Sequence, residues 1–322
     1  MSNIKRILVT GANGFVGRAL CAALMHNGHA VRGAVRGSGI EVSTGTSRAT
    51  VGEINGQTDW SDALAGIEVV IHLAARVHVM DDAASDPLAE FRRVNTTGTE
   101  HLARAAAASG VKRLVYVSST KVNGEETHDG KNFSEADMAA PQDAYAISKR
   151  DAELALHRIA RETGLEVVIV RPPLVYGPGV KGNFAQMLAV VAKGIPLPFA
   201  AVENRRSLVY VENLADALIS CATHPAAVGQ TYLVCDGQDV STAMLVEKIA
   251  RALGRKSRTF YFPPGLLRAV AAVLGRAEQI DRLFGSLRVS DEKILSELGW
   301  VPPYTLEQGL RATADWYRAR RN

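Results

Sequence analysis

"ILVTGANGFVGRAL", residues 7–20, passes from an apolar, β-branched run through three evenly spaced glycines into a helix-like pattern. Gly11, Gly14 and Gly17 therefore stand directly after a strand and at the opening of a helix. Glycine lets the backbone turn tightly and approach a pyrophosphate, whose charge is met by the free amides of a helix N-terminus. The stretch predicts a strand, turn and helix that bind a dinucleotide. Its spacing is Gly-x-x-Gly-x-x-Gly with Thr10 ahead, which departs from the common Gly-x-Gly-x-x-Gly fingerprint.

Working outward, the same alternation continues. Apolar runs at 6–10, 30–35, 69–75, 113–119 and 166–172 are separated by helical patterns that include 16–28, 97–110 and 143–164. Strands that alternate with helices and are apolar on both faces predict an α/β fold built on a doubly wound parallel sheet. Gly28, Gly110 and Gly164 fall just after helical runs, where C-terminal caps belong. The polar region 38–56 reads as a loop with a short strand. At "RPPLVYGPGVKGN" (171–183) the composition changes, and later segments mix helices with short strands. The expected division is a dinucleotide-binding domain at 1–172, to which 206–234 returns, and a smaller mixed α/β lobe from 173–205 and 235–322.

A chain of 322 residues exceeds one average domain, so one large α/β unit or two joined lobes is expected. The formal charge of +4 comes from scattered basic residues, and aromatics make up only 6%. That pattern argues against a nucleic-acid face and fits attraction for an anionic small molecule. Cys21, Cys221 and Cys235 lie far apart without metal-type spacing, as expected for buried thiols in a reducing compartment. The chain opens without a basic-then-apolar leader, and no apolar run reaches the roughly 20 residues of a membrane span. A cytoplasmic protein is expected. "PPGLLRAVAAVLGR" (263–276) is broken by Arg268 and reads as a core or interface helix.

The end of the second strand discriminates between dinucleotides, because an acid there binds the NAD ribose and an arginine accommodates the extra phosphate of NADP. "GHAVRGAVRGSG" (28–39) has no acid and carries Arg32 and Arg36. Arg36 at the strand end favours NADP(H), with NAD(H) the alternative. Further along, "AYAISKRDAE" (144–153) places Tyr145 and Lys149 four residues apart on one helix face. A phenol titrates about three units above neutrality and needs a nearby cation before it exchanges protons readily. That spacing is common in helices, so its neighbours decide what it means.

Those neighbours resemble the extended short-chain dehydrogenase/reductases, the nucleotide-sugar epimerase, dehydratase and reductase group. The likeness runs through "TGANGFVG" (10–17), "HLAA" (72–75), "VNTTGT" (94–99), "VSST" (117–120), "YAISK" (145–149), "RPPLVYGPG" (171–179), "RRSLVYVENLADAL" (205–218) and "ELGWVPPYTLEQGL" (297–310). The resemblance implies a Rossmann fold with Ser119, Tyr145 and Lys149 as the catalytic set. Ser119 would stand at the carboxyl end of the fourth strand, and Lys149 would also grip the nicotinamide ribose. Cofactor contacts are implied for Gly11, Asn13, Gly14, Phe15, Val16, Gly17, Arg36, Glu53, Ile54, Leu73, Ala74, Ala75, Tyr145, Lys149 and Pro172. Glu53 and Ile54 would meet adenine, and Asn95 would tie helix to sheet. On the substrate side the resemblance implies Ser119 and Thr120 at the sugar, and Asn183 and Arg206 at the uracil and diphosphate of a UDP-sugar held by the smaller lobe. Helices 97–110 and 143–164 are those that pair as a four-helix bundle in dimeric relatives.

Three reactions share this scaffold. Its dehydratases carry an acidic pair after the Ser/Thr position, where this chain has Thr120 and Lys121. Epimerases keep one tightly held NAD and usually an acid at the end of the second strand, which is missing here. "SSTKVNGE" (118–125), "RPPLVYGPGVKGNF" (171–184) and "NRRSLVYVENL" (204–214) resemble reductases of UDP-4-keto-6-deoxy-N-acetylhexosamines in bacterial polysaccharide synthesis. The alternative is a UDP-glucose or UDP-N-acetylglucosamine 4-epimerase with bound NAD. A non-catalytic NADP sensor is the third reading, against which the retained tyrosine and lysine argue.

Overall fold

A computed structural model describes residues 4–77, 86–128, 130–273 and 283–320. The opening stretch forms β1 (Arg6–Thr10) and α1 (Phe15–His26), followed by β2 (Ala30–Val35) and β3 (Ser47–Thr50). After the short α2 (Ser61–Leu64) come β4 (Val69–His72), α3 (Pro87–Phe91), α4 (Gly98–Ala108) and β5 (Arg113–Val117). Helix α5 (Ala144–Thr163) leads to β6 (Glu166–Arg171), β7 (Leu174–Tyr176), α6 (Gly182–Ala192), β8 (Leu208–Tyr210) and α7 (Val211–Thr223). The chain ends with β9 (Thr231–Leu233), α8 (Thr242–Ala252), α9 (Pro264–Val273), α10 (Glu292–Leu298) and α11 (Leu306–Ala319).

Seven strands form one parallel sheet in the order β3-β2-β1-β4-β5-β6-β9. This is the doubly wound Rossmann arrangement expected from the alternation. The order reverses between β1 and β4, and ligands of such sheets bind in the crevice at that switch point, beyond the carboxyl ends of the strands. Alternate residues of β1 feed the two faces. Ile7 and Val9 pack with Leu20 and Leu24 of α1 and Leu214 and Leu218 of α7. Leu8 packs with Leu102 of α4 and Leu156 and Ile159 of α5 on the other side. A separate parallel pair, β7 with β8, adjoins a cluster made by Phe184 and Leu188 of α6, Val246 and Ile249 of α8, and Leu306 and Leu310 of α11.

Several boundaries move for local reasons. β4 stops at His72 rather than at 75 because the amides of Leu73 and Ala74 turn back to donate to Thr10 Oγ1. A π-helical stretch, Arg92–Thr97, precedes α4, which therefore begins at Gly98. α5 is delimited by Asp143, whose Oδ1 accepts from the Ala146 amide at 2.7 Å, and by Gly164 at φ +77°. The short strand in 38–56 is β3, which makes the strand before Ser119 the fifth in the chain, not the fourth.

Candidate active site

The turn after β1 is built so that only glycine fits. Gly11 has φ +68°, and a Cβ there would lie 3.1 Å from the Ala74 amide nitrogen. A Cβ on Gly17 would lie 2.1 Å from the Gly11 carbonyl oxygen, so α1 sits directly on the turn. Gly14 is the N-cap of α1 and supplies no side-chain cap, which leaves the first amides of the helix, beside Asn13, Phe15 and Val16, open to an anion. This cradle fits the pyrophosphate of a dinucleotide.

The far wall of the crevice is the segment Leu73, Ala74 and Ala75, half-buried after β4. Thr10 Oγ1 accepts from the amides of Leu73 (3.2 Å) and Ala74 (3.1 Å), so its own proton goes to His72 Nδ1 at 2.6 Å. His72 Nε2–H is then left to donate to Thr99 Oγ1 at 2.9 Å. Burial, and secondarily the charge of Lys149, push the imidazole down to about 3, so it stays neutral. At the end of β2 the two arginines part ways. Arg32 donates to the carbonyls of Asp62, Ala63 and Ala65, whereas Arg36 is exposed directly after the strand. Arg48 of β3, not singled out from sequence, donates to the Ser38 carbonyl in the loop that follows Arg36. Glu53 is exposed and ion-paired with Arg93 at 3.6 Å, while Ile54 is buried beneath Gly98.

Ser119, Tyr145 and Lys149 come together where β5 ends against the first two turns of α5. The Ser119 side chain lies beside the Tyr145 hydroxyl, and its Oγ accepts from the Lys121 amide at 3.2 Å. Lys149 Nζ donates to the Val117 carbonyl at 2.8 Å, lies 4.6 Å from the centre of the Tyr116 ring and 5.9 Å from that of Tyr145. Burial holds the Tyr145 phenol well above its ordinary range, with the charge of Asp143 adding to the rise and the Ser119 side chain opposing it. Burial pulls Lys149 down to about 7, and Glu153 works against that fall. Near neutral pH the cluster therefore holds a phenol with a proton to give beside an ammonium close to its midpoint, which suits general acid–base chemistry at an oxygen.

The remaining residues named from sequence lie around this cluster or on other elements. Asn95 Nδ2 donates to the Arg76 carbonyl and to Ser148 Oγ, both at 3.0 Å, so it does tie α5 to the segment after β4. Pro172 is buried, and its carbonyl accepts from the amide of Thr120, itself buried, at 3.1 Å. Asn183 is exposed in the first turn of α6, and Arg206 donates to the Gly285 carbonyl at 2.9 Å.

Two groupings escaped the sequence reading. Lys121 Nζ donates to Glu125 (2.8 Å) and to Asp143 (2.6 Å), which binds the turn after Ser119 to the cap of α5. Glu153 and Arg171 form a buried ion pair at 2.6 Å behind Lys149. The available signal was a charge inside an otherwise apolar pattern, Arg171 closing "EVVIVR". Among the described residues no group of His, Cys, Asp or Glu is arranged to hold a metal ion, and no helix is long and apolar enough to cross a membrane.

Comparison with known proteins agrees with this fold. The model of the NAD dependent epimerase/dehydratase family matches residues 7–235. A UDP-glucose 4-epimerase of Vibrio cholerae is 44% identical over 320 residues, which cover 99% of this chain and 97% of that protein. An N-acetyl-alpha-D-glucosaminyl-diphospho-ditrans,octacis-undecaprenol 4-epimerase of Escherichia coli O157:H7 is 27% identical, covering 96% of this chain and 94% of its own. Among solved structures, MoeE5 in complex with UDP-glucuronic acid and NAD superposes with a TM-score of 0.78 at 25% identity, over 98% of this chain and 99% of the other.

Proposed function

This chain belongs to the NAD dependent epimerase/dehydratase family and is an enzyme of the extended short-chain dehydrogenase/reductase type, and we propose that it reduces the 4-keto group of a UDP-4-keto-6-deoxy-N-acetylhexosamine with NADPH. The observation that carries the choice is Arg36, exposed at the end of β2 with no acid beside it, where it meets the additional phosphate of NADP. The glycine turn and the start of α1 hold the pyrophosphate. Ile54 and Glu53 flank the adenine, and Leu73, Ala74, Ala75 and Pro172 line the crevice. Residues 1–172 and 206–234 form the cofactor domain, while 173–205 and 235–322 hold the UDP-sugar, with Asn183 and Arg206 toward uracil and diphosphate.

When bound, the reduced nicotinamide supplies the hydride. Tyr145 gives its proton to the oxygen at carbon 4 as negative charge develops there. Ser119 donates a hydrogen bond to the same oxygen and fixes its direction. Lys149, one turn along α5, lowers the cost of the phenolate by placing a positive charge nearby. Lys121 and the buried Thr120 stand where a dehydratase needs an acidic pair, so elimination of water is not part of this reading.

The name of the Vibrio cholerae relative favours a second reading, a UDP-glucose 4-epimerase with tightly held NAD, in which the same three residues act in both directions. The two are separated by identifying the nucleotide carried by the purified protein and by incubating it with UDP-glucose without added cofactor. The reductase reading expects no retained NAD and unchanged UDP-glucose. Retained NAD together with formation of UDP-galactose would replace it by the epimerase. A homodimer in which α4 and α5 of two copies form a four-helix bundle belongs to the proposal, and light scattering should give twice the mass of the chain.

A further inference from the structure

Glu153 is the fully buried carboxylate of α5. It follows Lys149 by four residues as Lys149 follows Tyr145, so the three side chains stand in a row along one face of the helix. Its Oε1 accepts from Ser118 Oγ (2.6 Å) and Arg171 Nε (2.9 Å), and its Oε2 accepts from Arg171 Nη2 (2.6 Å) and lies 3.5 Å from Arg150 Nη1. Arg171 closes the network by donating from Nη1 to Asn123 Oδ1 at 3.0 Å. Ser118 is the residue between Val117, whose carbonyl holds Lys149, and Ser119, whose side chain lies beside Tyr145. The carboxylate thus grips the end of β5 between the two points on which the catalytic pair is anchored.

We propose that Glu153 is a positioning residue for the reaction, which clamps the Val117–Ser119 strand end to α5 and sets a negative charge one helical turn from Lys149, with Arg171 as its buried counterion. Its catalytic consequence rests on the Ser119, Tyr145 and Lys149 reading, whereas its effect on the charge of Lys149 does not.

Among the described residues, the groups that face Lys149 are Tyr145 and Glu153 on α5, Tyr116 on β5 and His72 on β4. Of these, Glu153 carries the negative charge. The tyrosines hold their protons and His72 stays neutral. On its other side Glu153 faces Arg171 and Arg150, with His157 on α5 and Glu135 in the loop beyond. Burial alone favours a neutral Lys149, and the field of Glu153 opposes it. Glu153→Gln removes that field while keeping the shape. Lys149 is then expected to titrate about one unit lower or more, and to be largely neutral at pH 7.

The direct test labels lysine with carbon-13 at Cε and identifies the Lys149 resonance by its loss in Lys149→Met. Its titration is then followed by NMR in the wild type, Glu153→Gln and Glu153→Asp. The expected result is a lower midpoint in Glu153→Gln and a midpoint near that of the wild type in Glu153→Asp, which keeps the charge. An unmoved midpoint in Glu153→Gln, or an equal fall in both variants, overturns the proposal. If Glu153→Gln does not fold with Arg171 unpaired, Glu153→Gln combined with Arg171→Gln leaves no charged pair behind, and its Lys149 midpoint should still fall, by less than in Glu153→Gln alone because the positive Arg171 leaves with the carboxylate. The titration needs no substrate, so failure of the UDP-sugar reading leaves it intact. With turnover in hand, the alkaline limb of the kcat profile should move to lower pH in Glu153→Gln and return in Glu153→Asp, whereas a purely structural defect lowers kcat at every pH and leaves the limb in place.

Discussion

A phenol that burial holds in its protonated form becomes useful only when something nearby stabilises its anion, the role proposed for Lys149, whose Nζ lies 5.9 Å from the centre of the Tyr145 ring. Tyr145→Phe keeps the ring and removes the proton donor. Steady-state kinetics should show kcat falling by about 10² to 10⁴ with cofactor affinity little changed. A variant that turns over like the wild type would remove Tyr145 from the chemistry. Lys149 also carries a stability signature. Its folded value of about 7 lies below the ordinary 10.5, so between those values the unfolded chain binds more protons. The burial of Lys149 therefore costs stability most below pH 7 and progressively less as pH rises toward 10.5. Lys149→Met should raise the thermal midpoint more at pH 7 than near pH 10, and an equal gain at both would contradict a depressed lysine. The Tyr145–Lys149 spacing was legible in sequence, because it lies within one helical turn. The Glu153–Arg171 pair was not, because its members are 18 residues apart on different elements and a lone Glu in a mixed helix reads as solvated.

Helix α1 is held to the glycine turn with no room between them. Gly17→Ala places a Cβ 2.1 Å from the Gly11 oxygen and 2.8 Å from Ala12 Cα, both backbone atoms, so the helix must move. A loss of about 1–3 kcal/mol in urea denaturation is expected, with dinucleotide binding lost in a fluorescence titration. Wild-type affinity in that variant would separate the turn from the cofactor site. At the start of α5, Asp143 caps the helix and takes a hydrogen bond from Lys121. Asp143→Ala should cost about 1 kcal/mol of stability, and Asp143→Asn, which still caps, much less. Most elements of the sheet could be read from the alternation of apolar runs and amphipathic stretches. The π-helical stretch Arg92–Thr97 could not, since one extra residue per turn leaves no mark on a polar segment such as "RRVNTT". The true end of β4 was hidden for another reason: it is set by Thr10, 62 residues earlier than His72.

The sheet order places the carboxyl ends of β1, β4 and β5 side by side, so the glycine turn, Ala74 and Ser119 belong to one crevice although they are far apart in the chain. Beyond it, the end of β2, which in sheets of this order faces the adenosine side of a dinucleotide, presents Arg36 with Arg48 close to the same loop. Arg36→Glu should cost NADPH affinity about tenfold or more while sparing NADH, as measured by parallel titrations. Equal losses for both cofactors would mean that Arg36 does not read the additional phosphate. A net reduction at carbon 4 is tested most directly by one absorbance trace: NADPH followed at its nicotinamide band while a UDP-4-keto-6-deoxy-N-acetylhexosamine is added to the wild type and to Tyr145→Phe. The prediction is loss of NADPH in step with the keto sugar supplied, and almost none in the variant. An unchanged NADPH signal, with UDP-glucose converted to UDP-galactose by the same protein without added cofactor, would contradict it.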